Sequence, residues 1–463
     1  MWGLFLVLLI SMSAMSLIQW RLTLPAVLII GFTQDIFRKL IVGEPRIFVV
    51  MVGIVFACGL LSLLRNKGIN SLSEPFFKWS SDLREPLTLL LLVLVAQFLH
   101  SYFRFGNLVV SLIGLLSYSA PFMAVVLGYF WASSLDQVRQ FFKMYVCAGL
   151  IVALSLGLSF QGLDWTIFNE VGAGIKIYDM GTILFSHAGI LRTGEIAAWH
   201  VATTACLIMV LFFTAKRRGS STIMAIFLIA LMLAVLVTGR RKMFMLFSLF
   251  VIFYIFGVIY YRRVISSGYI ITGGFIVLTG WMMIEVIFTG GYGESINNYI
   301  SRGTNVYGDA TDRFINLGLN PIQWAYNRVG LLGGGLGIAS QGASYFGASN
   351  IAGGSGEGGL GKIMVELGLP GLLAMLWLGI SGLVYVRKIL KLAAMQSHEP
   401  RWLLFSLGLV IFIFVNVLTF SVATQLYGDM FILIMLGITA GFLLAVPRMI
   451  AISLTSSEVQ GSD

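Results

Sequence analysis

The chain predicts an all-α polytopic membrane protein with about 12–13 transmembrane helices and one large extracytoplasmic loop carrying short helices. Three observations predict it. Of 463 residues, 58% are hydrophobic, about 270 side chains. Lys, Arg, Asp and Glu together reach only 11%, against roughly 25% in a soluble domain. The apolar residues also fall in long runs separated by short basic clusters. A compact soluble globule needs a polar exterior that this composition does not supply, which excludes a soluble enzyme, a nucleic-acid binder and a secreted disulfide scaffold.

In chain order the apolar runs lie near 3–20, 22–36, 47–64, 87–104, 108–132, 144–160, 196–215, 220–238, 243–261, 268–289, 363–386, 402–420 and 428–447. The amino terminus, MWGLFLVLLISMSAMSLIQW, lacks the basic leading segment of a cleavable signal and reads as the first span. The runs divide the chain into N-terminal helices over 1–160, an external loop over 161–195 and central helices over 196–289 with an external arginine turn at 238–242. A large extracytoplasmic loop follows over 290–362, then C-terminal helices and a short cytoplasmic tail over 363–463. Cys58, Cys147 and Cys206 all fall inside apolar runs without a pairing pattern, so neither a disulfide framework nor a metal cluster is expected.

Basic loops set the orientation. Arg65, Lys67, Lys78 and Arg84 mark one cytoplasmic loop, and Lys216, Arg217 and Arg218 a second. Arg262 with Arg263, and Arg387 with Lys388 and Lys391, mark two more. One alternating arrangement satisfies all four, with the amino terminus outside, the carboxyl terminus in the cytoplasm and both long polar segments outside. The net charge of +10 is spent at these loop positions, where it touches lipid headgroups. It forms no stripe for nucleic acid.

One cluster then falls on the wrong side. Thr238-Gly239-Arg240-Arg241-Lys242 joins two spans by a turn that must face outward. It either anchors headgroups or meets an anionic ligand at the outer leaflet, and the planar guanidinium fork suits phosphate. Arg192 and Glu195 reach the same surface just before the seventh run. His200 sits about a turn and a half deeper, as a packed structural residue or as a contact to an acceptor. His187 has no partner visible in sequence.

The 290–362 loop carries Asp309, Asp312, Arg302, Arg313 and Arg328. Asn320-Pro321 predicts a helix start, with Trp324 and Arg328 on that helix and a stop at Gly333-Gly334-Gly335. Glycines there permit tight turns and close backbone approach. Glu357 and Glu366 bracket the re-entry to the membrane, nine residues apart, about two and a half turns. Glu366 either hydrogen-bonds a neighbouring helix end or lines a polar cavity.

Three features together resemble the bacterial O-antigen ligase and polysaccharide polymerase superfamily. These are the outward turn Gly239-Arg240-Arg241, the Gly-x-Gly-x-Gly run 333–337 late in a dominant external loop, and the closing Glu366-x-Gly368-x-x-Gly371. The Arg192-Thr-Gly194 segment before a span is similar too. The resemblance covers roughly residues 190–375. It departs from the ligases at two places: Glu357 stands where they carry a His-Asn pair, and His200 where an asparagine is usual. Both departures favour a polymerase or a divergent member.

The resemblance implies a metal-independent, cofactor-free GT-C glycosyltransferase in the bacterial inner membrane. It would move a sugar chain from a polyprenyl diphosphate carrier to an acceptor glycan at the outer face, alongside other polysaccharide-assembly proteins. Polymerisation of exopolysaccharide or O-antigen repeat units is the first expectation and O-antigen ligation the second. The residues fit on their own chemistry. A departing diphosphate needs fixed cations, supplied by Arg240 and Arg241 with Arg192, Arg313 or Arg328. The acceptor hydroxyl needs a base, first Glu357 and second Glu195, with His200, Trp324 and Glu366 lining the acceptor side. Asp35 and Glu44 are too far apart to make a divalent-cation pair. A lipid-linked sugar transporter or flippase is the alternative of another class, but it would place ionisable residues near the span centres. A non-catalytic assembly subunit is a third.

Overall fold

A computed structural model of the chain describes residues 1–77, 81–171, 176–179, 182–215, 221–262, 314–340, 358–396 and 400–460. Thirteen helices of ten or more residues are seen among them: α1 Trp2–Ile18, α2 Thr23–Leu40, α3 Phe48–Lys67, α4 Arg84–Phe105, α5 Leu108–Trp131, α6 Leu135–Phe160, α7 Gly194–Phe213, α8 Ser221–Val237, α9 Arg241–Arg262, α10 Asn320–Val329, α11 Gly359–Met395, α12 Arg401–Val422 and α13 Met430–Gln460. A two-stranded antiparallel hairpin, β1 Lys176–Asp179 and β2 Thr182–Phe185, pairs Lys176 with Phe185 inside the 161–195 segment.

Nine of these helices are long and apolar enough to cross a membrane among the described residues, and α1 and α8 are apolar but shorter. The chain is a polytopic helical membrane protein. The expected run at 268–289, and most of the 290–362 loop, lie outside the described residues. The other expected runs each coincide with a helix, whose ends extend past the apolar core wherever polar residues continue the helical turn. Thus α6 starts at Leu135, taking in Asp136, Arg139 and Lys143 ahead of the run 144–160. The helix α2 carries its run only to residue 36, then one polar turn with Arg38 and Lys39.

The helices fall into two compact units, each drawn from three separate stretches of chain. One unit takes residues 1–59, 135–309 and 396–415. At its heart is α7, 78% of whose apolar window is covered by protein. It is therefore surrounded by other helices rather than by lipid, and its Ala- and Thr-rich sequence lets them come close. Trp199, Tyr145, Phe250 and Phe405 fill the surrounding core, and the Tyr254 hydroxyl donates to the Leu404 carbonyl at 3.1 Å.

The other unit takes residues 60–134, 310–395 and 416–463. Its tightest pair is α5 with α13, where Gly437 and Gly441 form a small-xxx-small face. A Cβ on Gly441 would lie 2.3 Å from the Val125 carbonyl oxygen, and one on Gly437 2.2 Å from that of Pro121. Bare backbone on one helix thus seats directly on the other. At the far end of the pair Arg448 donates to the carbonyls of Tyr129 and Ala132, closing the C-terminal turn of α5.

The same unit holds the glycine run, and it is packed rather than loose. The helix α11 is broken at Gly368, which takes φ 67° and ψ −168°. Residues 331–339 fit into the break through backbone bonds: Leu369 N–H donates to Leu331 O at 2.8 Å and Gly334 N–H to Val365 O at 2.7 Å. From α4, Gln97 Nε2 donates to Leu332 O at 2.6 Å and Ser101 Oγ to Leu336 O at 2.7 Å. Gly337 lies so close to α5 that a Cβ would come within 2.1 Å of the Val110 oxygen. The helix α10 begins at Asn320 with proline in its first turn, as the Asn-Pro pair predicts, but ends at Val329 with Gly330 at φ 77°. It stops three residues before the triple glycine, which is used for packing.

Candidate functional site

In the first unit, polar groups gather where the C-terminal ends of α2, α6 and α8 meet the N-terminal end of α7. The ordering starts on α2. Asp35 is only 2% exposed; its Oδ2 accepts from the Arg192 backbone N–H at 3.1 Å, and its Oδ1 stands 3.6 Å from Arg192 Nη1. One turn on, the Lys39 ammonium donates to the carbonyls of Ile167 at 3.1 Å and Gly189 at 2.7 Å. The residue lies past the apolar run of α2, and burial pushes it down to about 8 against the pull of Asp35, Glu170 and Glu44. It stays cationic at neutral pH and ties both ends of the 161–195 segment to α2.

Glu170 in that segment accepts from the Gly194 N–H at 2.8 Å, a bond at the positive end of α7 where a carboxylate is favoured. Thr193 caps the same helix by accepting from Ile196 N–H at 3.4 Å. Burial holds the Glu170 carboxyl above the ordinary carboxylate range, partly offset by the Gly194 N–H, the Ser186 hydroxyl, Arg240 and Lys39. Arg240 thus belongs to the same electrostatic neighbourhood. Its turn is pinned there by Ser186 Oγ, which donates to Thr238 O at 3.1 Å, and by Thr238 Oγ1, which accepts from Arg240 N–H at 3.2 Å. Arg192 and Arg240, distant in sequence, are gathered around the buried Asp35, the half-buried Glu170 and one buried lysine. Arrays of this kind hold fixed cations in place for an anionic group that arrives from outside.

The remaining expected residues take varied places. Arg241 opens α9, half-buried. Glu195 lies in the first turn of α7, also half-buried, where its charge complements the helix end. His200 is fully buried, sharing a 2.7 Å hydrogen bond with the Tyr145 hydroxyl and lying 4.9 Å from the Phe32 ring. It belongs to the helix core. His187 does have a partner, bonding Ser159 at 3.1 Å beside the Phe160 ring.

In the second unit Glu366 is also fully buried. Its Oε2 accepts from the Tyr118 hydroxyl at 2.8 Å and its Oε1 from the Ala339 N–H at 3.1 Å. It locks the glycine segment onto α11, with a mid-helix hydroxyl and a loop N–H as partners rather than a neighbouring helix end. Trp324 is half-buried on α10, with the exposed Arg328 guanidinium 5.3 Å from its ring. Glu357 and Arg313 lie outside the described residues.

Sequence reasoning misses Glu170, Lys39 and the pairing role of Asp35. Three buried charges on the last turns of an otherwise apolar α2, Asp35, Arg38 and Lys39, are the one signal that points to partners, because charge is not left alone so near a bilayer. Among the described residues no cluster of three or more His, Cys, Asp or Glu is arranged to hold a metal ion. Compared with models of known protein families the chain matches none, and no curated protein sequence gives a significant match.

Proposed function

We propose that the protein is a membrane glycosyltransferase of the outer face of the bacterial inner membrane, moving a sugar chain from a polyprenyl diphosphate carrier to an acceptor sugar hydroxyl. The observation that carries this reading is the gathering of Arg192 and Arg240 around Asp35 and Glu170, with Lys39 fixed beside them. In this reading the acceptor oxygen bonds the anomeric carbon while the bond from that carbon to the diphosphate oxygen breaks. The diphosphate leaves on its lipid with the electron pair, and Arg240, Arg241 and Arg192 stabilise the charge that develops on it. The acceptor proton goes to a carboxylate, either Glu170 beside Arg240 or Glu357 on the long loop. The long loop faces outward with the arginine turn, and the carboxyl terminus is cytoplasmic.

Polymerisation of repeat units is favoured over ligation because Glu357 occupies the place where the ligases carry His-Asn. Arg240→Ala is expected to cost at least tenfold in surface polysaccharide at normal protein level, since two charge-assisted contacts are worth about 3 kcal/mol or more. The lipid carrier should then accumulate single repeat units. Long chains on the carrier would indicate a ligase instead. Undiminished polymer from Arg240→Ala and Arg192→Ala, each present at normal level, would end the catalytic reading.

A further inference from the structure

Arg38 is a buried cation for which the glycosyl-transfer reading has no role. It lies on the last turn of α2 and is 8% exposed. Its Nε donates to the Glu44 carbonyl at 3.3 Å, a bond suited to a cation at a helix C-terminus. That is its one hydrogen bond among the described residues. Asp35, the one carboxylate of α2, turns both oxygens to Arg192, and no described carboxylate stands within ion-pair distance of Arg38. Both Nη nitrogens therefore lack an acceptor, yet neither is sealed from solvent. A guanidinium buried to this extent with its fork open is costly unless an anion completes it.

The surroundings sharpen that requirement. Burial and the like charge of Arg192 both disfavour the cation, and Asp35 and Glu44 only partly offset them. Glu44, whose carbonyl holds Nε, takes φ 44°, a left-handed conformation that residues other than glycine seldom adopt. Strain of this kind persists where the structure around it fixes it, and it collects at ligand sites.

The charge balance identifies the class of ligand. Around Asp35 stand Arg38, Lys39 and Arg192, three largely buried cations to one carboxylate. Glu170 and Arg240 cancel in sign, as do the exposed Glu44 and Arg46, so an excess of two positive charges remains. A diphosphate joined to carbon at both ends carries two negative charges near neutral pH, and a phosphodiester headgroup carries one. The planar fork of an arginine also matches phosphoryl oxygens bidentately.

We infer that Arg38 is a direct ligand contact, its two Nη groups gripping a doubly charged diphosphate beside Arg192. The inference rests on the first unit being the place where a diphosphate-linked substrate docks; it adds a contact residue and a charge requirement that a singly charged lipid headgroup does not meet.

The test follows thermal unfolding of the whole chain in detergent as farnesyl diphosphate or short-chain phosphatidylglycerol is added. Farnesyl diphosphate is expected to raise the wild-type midpoint saturably, at concentrations about tenfold or more below those that phosphatidylglycerol needs. Arg38→Gln should weaken the response to farnesyl diphosphate about tenfold or more, because two charge-assisted contacts are lost. Arg46→Gln, which removes an exposed cation from the same loop, should keep it. Arg38→Lys retains the charge without the fork and should bind severalfold more weakly than wild type; it carries the test if the glutamine form does not fold. No saturable rise with farnesyl diphosphate, an equal response to phosphatidylglycerol, or an undiminished response from the Arg38 variant would each overturn the contact. The transfer reading is judged separately. Polymer lost in Arg240→Ala with binding intact in Arg38→Gln removes this contact alone. Binding lost in Arg38→Gln with polymer undiminished in Arg240→Ala and Arg192→Ala removes the transfer reading and keeps the diphosphate site.

Discussion

Burial makes the surroundings of Glu170 unfavourable to its charge, and the sign of the resulting pH effect is fixed. Burial raises its folded-state value above that of the unfolded chain, so between the two values the folded protein binds the extra proton. This group's contribution to stability therefore falls as pH rises through that window and stays low above it. Glu170→Gln keeps an oxygen for the Gly194 N–H while removing the charge. Thermal midpoints of the two proteins should converge at pH 4 and separate in favour of the glutamine form toward pH 7. A gap independent of pH would show that the carboxyl is not held above its usual range. Arg192 and Arg240 are legible in the sequence because they sit on the side that the charge rule forbids. Their partners are not, because Asp35 meets Arg192 across 157 residues and Lys39 meets Ile167 across 128. No local pattern encodes separations of that size.

At the level of the element, apolar runs give most helices and Asn320-Pro321 gives the start of α10. The break in α11 is different. Gly368-Leu-Pro370 reads as a motif in sequence, but its purpose lies in a second segment that bonds into the gap, and that segment's glycines announce close backbone approach without saying to which helix. The pair α5–α13 shows the same dependence on bare backbone. Gly441→Ala would place a Cβ 2.3 Å from Val125 O and 2.7 Å from Tyr129 N; it is expected to cost about 1–3 kcal/mol through enforced separation of the helices. Gly379→Ala, on α11 with nothing within 4 Å of the added atom, is the matched control and should be neutral or slightly stabilising. Unfolding of both variants in the same detergent checks the difference, and equal effects would refute close approach as the reason for Gly441.

For the whole molecule, the loop charges predict which end faces outward, and chemical labelling tests it directly. In a background where Cys58, Cys147 and Cys206 are replaced, single cysteines at positions 240 and 163 should react with an impermeant maleimide on intact cells. A cysteine at position 84 should react only after permeabilisation. The 161–195 segment and the arginine turn are fastened to one another through Ser186 and Thr238, so positions 163 and 240 must behave alike. If 240 reacts only from inside, the outward site is lost while the helical fold remains. The composition makes the membrane class plain. The grouping of helices into two units is hidden from sequence, because each unit interleaves stretches that lie far apart along the chain.

That interleaving has a consequence for biogenesis. Gln97 and Ser101 wait for carbonyl partners 235 residues downstream, so α4 and α5 leave the ribosome long before the strand of backbone that completes them. Residues 60–134 must persist in the bilayer half-assembled while the entire middle of the protein is translated. Nascent chains halted before residue 340 should accordingly be preferred prey for membrane proteases, and those released after α13 should not.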